Sequence, residues 1–139
     1  MPQENNKPVK YAVSVVVRHP DKPGQFLSVK RPDNPQDPIG GMWGLPAVTM
    51  NEGEIPEDAA RRVGPDKLGT EIKPTKWLGV KRGEREDHVL YLMDFEAELA
   101  GEGDEPDVSK AQTDSTVYAE SRWTDDLDSL KPIAKHGSV

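Results

Sequence analysis

The chain contains no cysteine, which excludes disulfides, thiolate metal sites and a thiol nucleophile, and fits a reducing compartment. It also lacks any apolar run near membrane-spanning length, and its opening, MPQENNKP, has no apolar signal region. A cytoplasmic protein without a membrane partner is therefore expected. Positive charge is in deficit as well: 18 Lys and Arg stand against 25 Asp and Glu, a net charge of -7. Nonspecific grip on a nucleic-acid duplex is not expected from that balance. A length of 139 residues suits one domain that buries roughly two thirds of its unfolded surface. We assign residues 1–8 to a flexible N-terminus and 9–139 to a single domain.

What the sequence does hold is mostly strand patterning. YAVSVVVR at 11–18 is β-branched and apolar on both faces, the mark of a central strand covered on two sides. HPDKPG at 19–24 has turn composition, and QFLSVKR at 25–31 completes a hairpin. RPDNPQDPIGG at 31–41 is too rich in Pro, Asp and Gly for regular structure. MWGLPAVTM at 42–50 reads as a short strand in which Pro46 marks an edge, an end or a bulge. TKWLGVKR at 75–82 and HVLYLMDFEAEL at 88–99 form a strand pair around GERED, residues 83–87. An acidic loop at 100–115 precedes a late strand, TVYAESRW at 116–123. Leu127, Leu130, Ile133 and Ala134 recur at helical spacing behind a cap at Thr124.

The first helix opens at Pro56, which suits the first helical position, and Glu57 and Asp58 complement the positive end of the helix dipole. Gly64 and Pro65 are expected to halt it after about two turns, because proline removes a donor and disfavours helical geometry in the residue before it. The result is a mixed sheet with two helices, of class α+β.

The stretch GMWGLPAVTMNEGEIPEDAARRVGPDKLG resembles the signature of the Nudix hydrolases, MutT-like enzymes with an α/β/α sandwich. Glu54, Arg62 and Gly69 fall on the family's Glu, Arg and Gly, with seven residues between the first two and six between the second two. Trp43 and Pro46 stand where the family commonly has Trp-x-x-Pro. The box is degenerate. Val63 replaces the Glu after the Arg, Gly64 an apolar residue, and Asp66-Lys67 the Glu-Glu pair. In the family, carboxylates at these spacings share a helical face and hold a divalent cation through oxygen ligands. That cation stabilises diphosphate cleavage and activates water. Here the same positions are apolar, negative and positive, so only weak Mg²⁺ or Mn²⁺ binding is expected.

The resemblance implies hydrolysis of a nucleoside diphosphate linked to another moiety, weak or atypical, with Glu54, Arg62 and Asp66 as catalytic candidates. The ligands for any metal would come from Asp66, Glu54, Glu57 and Asp58. The residues themselves favour a plainer reading, with Glu57 and Asp58 a solvated first turn and Glu84, Glu86 and Asp87 an exposed turn. The alternative is a catalytically inactive domain that binds a nucleotide or phosphate, with Trp43, Lys67 and Arg31 as ligand contacts, or one that contacts a protein. Lys67 would then supply a fixed point charge. Lys30, Lys81, Arg82 and Arg85 have a second reading as solubilising charges. Core packing is expected for Trp77 in particular, because Leu78 and Val80 continue its strand. His19 and His88 show no ligand spacing. The resemblance inclines the reading narrowly to the hydrolase, and it adds homodimerisation as an expectation.

Overall fold

The structure is a computed structural model that describes residues 7–37, 39–84, 87–101, 105–112 and 117–131. Its centre is β1 (Val9–Arg18), which runs parallel to β6 (Val89–Leu99) and antiparallel to β4 (Ala47–Thr49). Val13, Val15 and Val17 are fully buried, and Ser14 between them is also out of water. Apolar character on both faces thus produced the central position expected of it. β2 (Phe26–Lys30) turns back from β1 and pairs with β3 (Trp43–Gly44) and β7 (Glu120–Thr124). The sheet is closed at its far side by β5 (Ile72–Glu84), antiparallel to β6. It is the mixed sheet of an α+β fold.

Pro46 divides the expected single strand at 42–50 into β3 and β4, while its carbonyl accepts from Val15 N–H at 3.0 Å. The late strand begins at Glu120, later than expected, and position 116 lies outside the described residues. The Thr124 hydroxyl does act as a cap, accepting from Asp126 N–H at 3.0 Å, and the segment behind it that the structure describes is a 3-10 turn at Leu127–Leu130. The Asp126 carboxylate accepts from Asp128 N–H at 3.0 Å and so caps that turn. Ile133 and Ala134 lie outside the described residues, as do Arg85 and Glu86.

Helix α1 (Pro56–Val63) packs Ala59, Ala60 and Val63 onto the valines of β1. As an α-helix it ends at Val63, as Gly64-Pro65 led one to expect, but the coil continues past them. The chain widens there into a π turn at Gly64–Leu68, closed by Gly69 in the left-handed conformation, whose N–H donates back to the Gly64 carbonyl. The wider repeat places no demand on the donor that Pro65 lacks. Carbonyls left over at the helix end find distant partners: Asp107 N–H donates to Leu68 O at 2.7 Å, and Gln112 N–H to Asp66 O at 3.0 Å. Close packing demands glycine at 64, since a Cβ there would lie 2.4 Å from the Thr70 carbonyl oxygen.

Trp77 corrects another expectation. It is 50 % exposed, as are Leu78 at 44 % and Val80 at 55 %. Its indole meets Phe95 edge-on, with centroids 5.3 Å apart. The reason is topological: among the described residues β5 pairs only with β6, so its outer edge is bare. Pro74, two register shifts and several lysines blunt that edge against further strand pairing.

Candidate functional site

The loop leading into α1 and the last turn of α1 are joined by Arg62. Its Nε donates to Glu54 Oε2 and its Nη2 to Glu54 Oε1, both at 2.9 Å, while Nη2 also donates to the Thr49 carbonyl at 2.8 Å. Nη1 donates to Asp66 Oδ2 at 2.7 Å. Glu54 also accepts from Asn51 N–H at 2.9 Å. These contacts hold the Glu54 carboxyl below its ordinary range, with the Arg62 hydrogen bond as the largest cause and partial burial opposing it. The same partner raises Arg62 further above its already high value.

The three altered box positions lie around this network. Val63 is fully buried in the core and offers no oxygen. Asp66 faces back along the helix to Arg62, four residues earlier. Lys67 is 5 % exposed, its ammonium 5.6 Å from the centre of the Tyr118 ring. Glu57 and Asp58 turn outward to Arg61, at 3.7 and 3.4 Å. Glu84 pairs with Lys7 and Asp87 with His88. Glu54, Arg62 and Asp66 are therefore brought together, and Glu57 and Asp58 are not.

These side chains do not fit a divalent cation of the kind the resemblance implies. Among the described residues no group of three or more His, Asp or Glu side chains converges. A hard cation needs several free oxygens, but both Glu54 oxygens and Asp66 Oδ2 accept from the Arg62 guanidinium.

A cleft of about 130 Å³ lies between Ala12, Leu45, Leu92, Arg31 and Tyr118. Arg31 is oriented by Asp37, which takes Nε at 3.0 Å and Nη2 at 2.9 Å. Tyr118 Oη accepts from Ala47 N–H at 3.0 Å, and burial raises its pKa. Lys67 and Arg31 both bear on this one phenol. Trp43 is half-buried on β3, and the Arg122 guanidinium lies 4.1 Å from its ring centre. His19 is structural: Nδ1 accepts from Asp21 N–H at 3.0 Å, and its ring meets Trp123 edge-on.

Sequence reasoning missed Tyr118, Arg122 and Asp94. Asp94 accepts from the Ser14 hydroxyl on the neighbouring strand. A lone carboxylate inside the apolar run LYLMDF was the one signal available for it. Nothing local marked the other two.

Residues 8–129 match the NUDIX domain. The chain belongs to the NUDIX family. Solved Nudix structures agree in fold. A MutT protein from Methanosarcina mazei Go1 superposes with a TM-score of 0.66 at 17% identity, covering 96% of this chain and 99% of the other. A MutT NUDIX hydrolase from Burkholderia pseudomallei gives 0.66 at 21% identity, with 86% of each chain covered. A NUDIX hydrolase from Nitrosomonas europaea gives 0.65 at 18% identity, over 94% of this chain and 79% of that one. Identities this low bear on the fold alone. Among the described residues no helix is long and apolar enough to cross a membrane.

Proposed function

We propose that this Nudix domain binds a small phosphate-bearing molecule without metal-dependent hydrolysis, using the cleft at Arg31 and Tyr118. The observation that carries the reading is the closure of the box on itself: the Asp66 carboxylate is taken by Arg62 at 2.7 Å, and a lysine stands at the next position, 5 % exposed. The cleft is smaller than the roughly 300–1,000 Å³ of most ligand pockets, so it suits one end of a ligand. Arg31, held by Asp37, presents a fixed fork for phosphate oxygens. Lys67, at 5 % exposed, is too buried to serve as a flexible arm.

The test is a panel of nucleoside triphosphates, dinucleotide polyphosphates and nucleotide sugars, with Mg²⁺, with Mn²⁺ and with chelator. Calorimetry is expected to show binding that survives the chelator and weakens about tenfold or more in Arg31→Ala, as loss of a charged hydrogen-bond partner implies. Lys67→Met is expected to weaken it less. Metal-dependent turnover that disappears in Glu54→Gln would reverse the reading in favour of the hydrolase.

A further inference from the structure

A larger concavity opens on the helix side of the sheet, between the start of β1 and the loop that leads into α1. Its volume is about 750 Å³, within the range typical of small-molecule sites. Tyr11 and Met93 line it, whereas the Arg31 cleft is lined by their neighbours Ala12 and Leu92. The two concavities share no lining residue.

The wall is organised around one aromatic ring. Tyr11 and Tyr91 are paired across β1 and β6, and their rings stack with centroids 5.5 Å apart and planes 21° from parallel. Tyr91 thus covers one face of Tyr11, and Tyr11 itself lines the cleft. Tyr11 as a whole is 49 % exposed. Met50 and Met93 add two thioethers beside it, side chains that adapt to a ligand's outline and make favourable contacts with ring edges. The wall is also held in place: Met50 N–H donates to Tyr11 O at 2.8 Å, and Asn51 exchanges hydrogen bonds with Glu54. Lys10, Asn51 and Glu52 supply polar groups at the rim.

We propose that this cleft binds a small molecule through a planar heteroaromatic ring stacked on Tyr11 and flanked by Met50 and Met93. The site is independent of the Arg31 cleft and of any phosphate. Its contribution from stacking is limited to that of one aromatic pair, so truncating Tyr11 costs up to about tenfold in affinity.

The experiment uses the whole chain, labelled at its methionine methyl carbons, with indole as the aromatic probe and cyclohexanol as a non-aromatic control of similar size. Indole is expected to shift the Met50 and Met93 methyl signals saturably, while Met42, whose carbonyl accepts from Arg31 N–H, stays in place. Tyr11→Phe keeps the response and Tyr11→Ala weakens it. Equal saturation by cyclohexanol, an unchanged affinity in Tyr11→Ala, or a response confined to Met42 would overturn the proposal. Intermolecular NOEs from indole to the Met50 and Met93 methyls test the same contact in the unaltered protein. Their absence at saturating indole counts against it.

Discussion

At the start of the box segment, Glu54 and Arg62 grip each other across a loop; just beyond Arg62, Val63 and Lys67 lie almost wholly out of water. Both regions occupy family positions, yet only the first keeps the family's side chains. The difference separates two jobs that the box performs together. Arg62 fastens the loop to the helix through the Glu54 carboxylate and the Thr49 carbonyl, a task that involves no cation. The turn that follows has become part of the core, with the loop at 105–112 bonded to its carbonyls.

The sharpest way to break this contrast is to restore the missing carboxylate. Val63→Glu buries an acid in the core beside Ala59 and Ala60, and it is expected to cost on the order of 3–5 kcal/mol in urea unfolding. A loss under about 1 kcal/mol would mean that the position still opens toward a cleft. Gly64→Ala comes next. Its Cβ meets backbone at 2.4 and 2.9 Å, so about 2–3 kcal/mol should be lost to overpacking. A neutral result would remove the tight packing of the π turn against the start of β5.

Arg62→Leu addresses the retained half. Glu54 and Asp66 side chains, 13% and 26% exposed, lose their shared partner at a cost of about 2 kcal/mol. The pH dependence follows from the same pair. Because folding depresses the Glu54 pKa below its ordinary 4.5, the unfolded chain binds more protons between the two values. Stability from this group is present above about pH 4.5 and is lost as pH falls through the folded value. Glu54→Gln is expected to flatten that acid limb, and an unaltered limb would show the pair to be inert. Glu57→Gln, which touches only the exposed pair with Arg61, is expected to change stability by less than about 0.5 kcal/mol.

Much of this architecture could be read from the chain, and the exceptions share a cause. β1 announced itself through apolar residues on both faces, and the spacing of Glu54, Arg62 and Gly69 carried the family likeness. Gly64-Pro65 misled because its local meaning is a stop, whereas the amides of Asp107 and Gln112 that satisfy the continuing turn lie some forty residues away in sequence. Trp77 misled because TKWLGVKR has the composition of an interior strand, and only the topology leaves β5 at the border. Lys67 was legible as a charge in the wrong place. Its burial beneath Tyr118 was not, since Tyr118 reaches it from outside the box altogether.

The most direct test of a box closed on itself is a Mn²⁺ titration of the whole protein, followed by the electron paramagnetic resonance signal of the free ion. The account predicts no stoichiometric site, with the free signal rising from the first addition as in buffer. A single saturable site that vanishes in Asp66→Asn would contradict it.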